Sequence, residues 1–324
     1  MERIAFIIPY FGSFNNYFSL WVKSCESNKD IADFYIFTDI AYTFTIPQNV
    51  KFVFTTFKEL KAKIQAIYDF PISLNQPYKF CDFKPAYGEI FNEYIRDYSH
   101  WAFGDNDLIW GDWNTMLPNN WKTLERIGEF GHLTIIQNSI KMRLLYRFNN
   151  AYRIAFQTPY NTFFDEKAFN KICRINNIPI IPLKIADCDP RKLTIRIQNQ
   201  TYDHHSGLFT YDNGHIYQLY KKKGSIGKEE FIYIHFLKRK MNTHIKEPLK
   251  NNKCYIYQRE IASQSESSAI TELINICSRQ YCYWSYWLKF FNPKILFNSI
   301  YYKINSGRKD VIRSIDKVLT HGIQ

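Results

Sequence analysis

The sequence predicts an α/β fold, a mixed but mostly parallel sheet flanked by helices, followed by a C-terminal amphipathic helical tail. Three observations carry that reading. Through the first hundred residues, β-rich runs alternate with stretches whose apolar residues recur at helical spacing, the pattern of parallel strands covered by helices. Farther on, apolar and polar residues alternate on both sides of Asn213-Gly214, a hairpin signal that adds antiparallel strands. Beyond residue 281 aromatic and basic residues dominate.

Taken in order, RIAFIIP (3–9) is a β-rich run closed by Pro9 and Gly12, as at the end of a buried parallel strand. Phe14, Phe18, Trp21, Val22 and Cys25 then form one helical stripe. FYIFTD (34–39) and KFVFTT (51–56) are further strands, and Thr56 with Glu59 makes a capping box for a helix reaching about Tyr68. KPAYGEIFNEYIRDY (84–98) reads as one helix, and HWAFGD (100–105) as the next strand. FGHLTII (130–136) is strand-like, FDEKAFNKICRIN (164–176) helical, and EEFIYIHF (229–236) another strand. QSESSA (264–269) turns small and polar, which divides the chain into a domain over 1–260 and a linker with tail over 261–324.

The 324 residues are 46% hydrophobic and 22% charged, enough to bury a substantial core. Aromatic residues make up 18% and there are only 12 glycines, which argues against Gly-rich repeats and collagen-like sequence. A net charge of +12 favours an anionic partner without choosing among nucleic acid, lipid and phosphorylated substrates. The seven cysteines include no C-x-x-C pair, the usage expected of reduced thiols in a cytoplasmic protein. The N-terminal apolar run is short and interrupted by Pro9, and no apolar run approaches the ~20 residues of a membrane span.

The sharpest chemical feature is WAFGDNDLIWGD (101–112). Asp105 and Asp107 follow a hydrophobic strand and precede another apolar run, so two acceptor-only carboxylates sit at a buried edge. An Asp-x-Asp alone is most simply a turn. In this setting uncompensated charge is costly, and the pair suits a hard divalent cation with positions left open for phosphate. His235 ends the strand FIYIHF just before Lys238, Arg239 and Lys240. It offers an imidazole to the same ion, and Lys238 a contact to a diphosphate; a structural histidine and a solvated basic face are the competing accounts. Asp39 ends the second strand, where it either reads a nucleobase or caps. Asp82 and Lys84 open CDFKPAYG and are both candidate nucleotide-binding residues, with Lys84 either placed to meet a phosphate at a helix start or a plain surface lysine. Asp165-Glu166 begins a helix and offers a general base, although acidic residues favour helix starts anyway. His204-His205 has no partner spacing that supports a metal.

In this order, IAFIIPYFG, LWVKSCE, FYIFTD, YKFCDFKPAYG, WAFGDNDLIWGD, GHLTIIQN and YIHFLKRKM resemble a family of bacterial glycosyltransferases. These are small GT-A-fold enzymes of the Asp-x-Asp type, encoded with cell-surface polysaccharide (O-antigen and capsule) genes; the resemblance covers about residues 3–245. It implies a GT-A-like, Rossmann-like domain that moves a hexose, galactosyl or galactofuranosyl among the options, from a nucleotide-sugar such as a UDP-sugar. The acceptor it implies is a hydroxyl of a growing, lipid-linked glycan. It further implies that Asp105 and Asp107 hold Mn2+ or Mg2+ on the donor diphosphate and that His235 completes the shell. Pro9, Tyr10 and Asp39 would form the nucleotide pocket, and Lys84 corresponds to the basic residue before the Asp-x-Asp strand. One departure stands out: the base of inverting members lies in an x-Glu-Asp element, whereas this chain has Asp165-Glu166, which leaves the base and the stereochemistry open.

Two other classes compete. Net positive charge with abundant aromatics suits single-stranded nucleic acid, but no RNP-like or helix-turn-helix signature is present, and no nucleic-acid partner is expected. A metal-dependent nucleotidyltransferase also uses paired aspartates, yet would bring a Gly-rich phosphate loop, which the sequence lacks. The tail reads YCYWSYWLKFFNPKILFNSIYYK over 281–303. Its rings flanked by lysines suit the headgroup boundary of an anionic membrane, and a packing or dimer segment is the equal alternative. The expectation is a cytoplasmic protein, peripheral on the inner face of the membrane.

Overall fold

The computed structural model describes residues 2–189, 194–197, 200–201, 208–222, 225–236, 241–243, 252–257, 260–263, 270–274 and 306–322. The chain enters through β1 (Ile4–Pro9), helix α1 (Phe18–Glu26), β2 (Ala32–Thr38), β3 (Val50–Phe54) and helix α2 (Phe57–Gln65). After short helical turns it continues through β4 (His100–Gly104), β5 (Leu108–Trp110), β6 (Arg126–Phe130) and β7 (Leu133–Gln137). Six of these strands form a sheet of order β3-β2-β1-β4-β7-β6. β1 lies parallel to β2 and β4, and β2 to β3, whereas β7 pairs antiparallel with both β4 and β6. The mixed, mostly parallel α/β architecture expected from the alternating pattern is therefore present.

Strand alternation splits the core in two. Ile4, Phe6 and Ile8 of β1 point to one face, with Trp21, Phe34, Trp110 and Trp113. Ala5 and Ile7 point to the other, with Trp101, Phe103, Tyr87 and Phe156. Most of the aromatic excess is accounted for here: the rings are core before they are anything else.

Three expected elements come out differently, among them the strand expected over 229–236, which breaks at Ile232 into Ser225–Phe231 and Tyr233–His235, strands of two different sheets. The helix expected over 84–98 is a chain of short turns, Lys84–Ala86, Tyr87–Ile90 and Asn92–Ile95. Pro85 sits in the first, Phe91 leaves helical geometry at ψ 26°, and Gly88 lies so close to Trp101 that a Cβ would fall 2.7 Å from the ring. Packing on β4 overrides local helix preference. The strand expected over 130–136 breaks at Gly131-His132, the turn joining β6 to β7. By contrast the Thr56–Glu59 capping box is formed in both directions, at 3.2 and 2.8 Å.

The remaining strands are β8 (Ala186–Asp189), β9 (Thr194–Ile197), β10 (Gln200–Thr201), β11 (Leu208–Asp212), β12 (His215–Lys222), β13 (Ser225–Phe231), β14 (Tyr233–His235), β15 (Asn242–Thr243), β16 (Lys253–Tyr257) and β17 (Glu260–Ala262). A second sheet runs β10-β9-β8-β14-β5 and a third β13-β12-β11-β16-β17-β15. The β11–β12 hairpin turns at Asn213 (φ 51°) and Gly214 (φ 93°), both left-handed as a tight hairpin requires. The pairing of β14 with β5 sets His235 opposite Leu108.

The helix Ser306–His321 packs back on the first half of the chain. Ile315 and Leu319 are buried in the second core, Lys171 pairs with Asp316, and the Arg308 guanidinium lies 4.4 Å from the Phe163 ring centroid. The linker 264–269, the tail 281–303, His204-His205 and the cluster containing Lys238 lie outside the described residues. No helix among the described residues is long and apolar enough to cross a membrane. Cys25, Cys81, Cys173 and Cys254 are unbridged.

Candidate metal centre

Because β1, β2 and β4 run parallel, their carboxyl ends share one edge, where open α/β sheets bind ligands. Pro9 ends β1 and Tyr10 follows it, Asp39 follows β2 and Asp105-Asn106-Asp107 follows β4. The first loop touches the acidic turn directly, Asn15 Nδ2 donating to the Asn106 carbonyl at 3.1 Å. Tyr10 stacks on Phe14 with ring centroids 5.4 Å apart, and its hydroxyl donates to the Ser13 carbonyl at 2.7 Å. Asp39 is exposed, and among the described residues no hydrogen bond joins it to the acidic turn.

Asp105, Asp107 and His235 converge. One ligating atom from each lies within 4.8 Å of the others, and His235 Nε2 is 3.3 Å from Asp107 Oδ1. β5 and β14 bring them together, reinforced where Phe236 N–H donates to the Asp107 carbonyl at 2.8 Å. The donor set fits a hard divalent ion. In an octahedral shell at ~2.1 Å, adjacent ligand atoms sit about 3 Å apart and opposite ones about 4.2 Å, so the 3.3 Å between His235 Nε2 and Asp107 Oδ1 already suits an adjacent pair. The imidazole favours Mn2+ over Mg2+.

Lys84 reaches the same place from the turns before β4. Its ammonium donates to Asp105 Oδ1 at 2.6 Å and to the Gly131 carbonyl at 2.8 Å, and lies 3.7 Å from Asp165 Oδ2. Burial opposes this cation, but Asp105, Cys81 and Asp165 outweigh burial and hold it well above the usual lysine range. The Gly131 N–H donates to Glu166 Oε1 at 2.8 Å. The β6–β7 turn therefore ties Asp165-Glu166 to the Asp-x-Asp turn.

Asp82, expected as a ligand-binding carboxylate, is not available for that role. It is fully buried, accepts Lys79 Nζ at 2.6 Å, and takes the N–H groups of Thr162 and Phe164 at 2.9 to 3.1 Å. It fastens the turn that carries Asp165. Lys84 differs from expectation too: it is sunk among carboxylates rather than presented at a helix start.

The sequence reading missed His132 and Tyr233. The His132 ring stacks on His235 with centroids 4.4 Å apart and shares a hydrogen bond with the Tyr233 hydroxyl. Burial, with His235 and Lys84 adding to it, drives His132 well below the ordinary imidazole range against the pull of Asp107. This ring is neutral at pH 7 and packs flat against His235. Its sequence signal was the Gly131-His132 pair inside a run read as continuous strand.

Two predictions arise here. A Cβ at Gly131 would lie 2.3 Å from Asp165 Oδ2, in a buried site with no room to yield. Gly131→Ala should cost about 1–3 kcal/mol in urea unfolding; an unchanged midpoint would mean that the turn shifts freely. The second concerns pH. Burial pushes Asp165 up to about 8, Lys84 pulling the other way, whereas an unfolded aspartate titrates near ~3.9. The folded state therefore binds this proton more tightly, and the resulting stability is full below about pH 4 and lost as pH rises to about 8. In metal-free protein, the stability of wild type relative to Asp165→Asn should fall across that window, and parallel pH curves would refute the shift.

The profile of DUF6625, described as a family of unknown function, matches residues 6–265, and the chain belongs to that family. No curated protein matches the chain.

Proposed function

We propose that this protein is a metal-dependent glycosyltransferase that moves a sugar from a nucleotide-sugar, a UDP-sugar, to a hydroxyl of a growing lipid-linked surface glycan. The observation that supports it is the convergence of Asp105, Asp107 and His235 within 4.8 Å at the carboxyl edge of parallel strands. On this reading these three residues hold Mn2+ or Mg2+, which when bound offsets the charge of the leaving diphosphate. Pro9, Tyr10 and Asp39 line the same edge and receive the nucleotide, with Lys238 as a further phosphate contact.

Deprotonation of the acceptor hydroxyl falls to the Asp165-Glu166 pair. Asp165 is buried, whereas Glu166 borders a cleft of about 390 Å³ together with Phe130 and Arg174. Glu166 is therefore the base in this proposal and Asp165 its buried support, with Gly131 N–H orienting the glutamate. The exposed Lys309, Arg313 and Lys317 of the last helix face an anionic membrane surface at the cytoplasmic side, where the acceptor lipid resides.

The test is hydrolysis of a panel of nucleotide-sugars with and without Mn2+. UDP-selective, metal-dependent turnover is expected. Absence of turnover together with salt-sensitive oligonucleotide binding would replace the proposal with the nucleic-acid reading.

A further inference from the structure

Among the described residues, Lys84 is the cation built into the acidic centre, and its geometry bears on metal binding itself. An ammonium has three hydrogens. Those of Lys84 face Asp105 Oδ1 at 2.6 Å, the Gly131 carbonyl at 2.8 Å and Asp165 Oδ2 at 3.7 Å. With a side chain only 6% exposed, two hydrogen bonds already made and an ion pair to Asp165, the ammonium is committed to the protein rather than presented to a donor phosphate. The surroundings need it. Asp105 Oδ1 and Asp165 Oδ2 lie within 3.7 Å of it, and a carboxylate in so buried a setting is costly without a counter-charge.

We propose that Lys84 is the resident counter-cation of this centre: it occupies Asp105 while no metal is bound, and metal loads against it. The proposal rests on the metal reading above but assigns Lys84 a different task from phosphate contact. It is a positioning residue that keeps the acidic turns assembled and holds metal affinity down, since an ammonium and a divalent ion share Asp105 and repel each other. A phosphate-binding lysine would leave affinity for the bare metal nearly unchanged. A purely scaffolding lysine would lower stability equally with and without metal.

The experiment is a Mn2+ titration of the full chain, followed by the EPR signal of free Mn2+, beside thermal melts with and without Mn2+. Lys84→Met should bind Mn2+ at least about tenfold more tightly, the factor that ~1.4 kcal/mol represents. It should melt lower than wild type without metal and recover much of that deficit with it. Lys84→Arg keeps the charge and should stay close to the wild-type Kd. If Lys84→Met does not fold, Lys84→Gln, which keeps a donor for the Gly131 carbonyl, repeats the test. A neutral variant that binds Mn2+ no more tightly than wild type overturns the proposal. Asp107→Asn separates the two levels: loss of Mn2+ binding there retains the metal centre whatever Lys84 does, whereas wild-type binding there removes the centre and this inference with it.

Discussion

Asp107→Asn should reduce Mn2+-dependent nucleotide-sugar turnover by about a thousandfold or more while leaving the fold intact. Charge stabilisation at a leaving diphosphate is worth several kcal/mol, and ~4 kcal/mol corresponds to about three orders of magnitude in rate. Asn keeps the shape of Asp but gives up the anionic oxygen 3.3 Å from His235 Nε2. Folding is protected for two reasons. The contact that fixes the segment is made by the Asp107 backbone carbonyl, which accepts Phe236 N–H at 2.8 Å. The substitution also removes an acidic charge beside Asp105, so metal-free protein should melt no lower than wild type. Asp105→Asn should match it in rate but release Lys84 from its 2.6 Å partner, and so should lose some stability as well. Turnover above a tenth of wild type at saturating Mn2+ in Asp107→Asn would remove the metal from the mechanism.

Much of this centre could be read before any coordinates. Asp105 and Asp107 stood out because buried strands flank them, and buried strands are written in the sequence as runs of large apolar residues. β1, β2, β3 and β4 were found for the same reason, and the β11–β12 hairpin because Asn213-Gly214 suits left-handed backbone. What escaped depends on contacts between distant segments. Lys84 looked like a helix-start lysine because nothing local reveals that the Gly131 carbonyl and Asp165 surround it. His132 was hidden inside an apparent strand that breaks only because β6 must turn back to pair with β7. Asp82 and Lys79 are three residues apart and could have been paired from spacing alone. Their depth could not, because it comes from the 155–164 segment closing over them.

That buried pair carries the largest stability effect expected of a single substitution. Lys79 and Asp82 have side chains 1% and 0% exposed. Beyond each other, the lysine donates to the Ala155 carbonyl at 2.8 Å and to the Tyr160 carbonyl, and the aspartate receives Thr162 and Phe164 N–H. Asp82→Ala strips the acceptors from that turn and leaves an ammonium in the core, a loss of about 3–5 kcal/mol. At ~2–4 °C per kcal/mol for a chain of this size, melting should fall by roughly 10 °C. Exposed pairs offer the contrast: Asp69, whose side chain is 76% exposed beside Arg153, should cost no more than about 1 kcal/mol when replaced by Ala. The pH dependence adds a signature that a plain packing defect lacks. Burial already lowers Lys79 against the pull of Asp82, so without Asp82 its folded pKa drops further below that of the unfolded chain. The unfolded state then binds the extra proton, and stability rises with pH. The deficit of Asp82→Ala should accordingly shrink toward alkaline pH, while that of Lys79→Met/Asp82→Ala, with no ammonium to bury, stays flat. If Asp82→Ala melts within 2 °C of wild type, or if both variants respond to pH alike, the pair does not anchor the turn that carries Asp165 and Glu166.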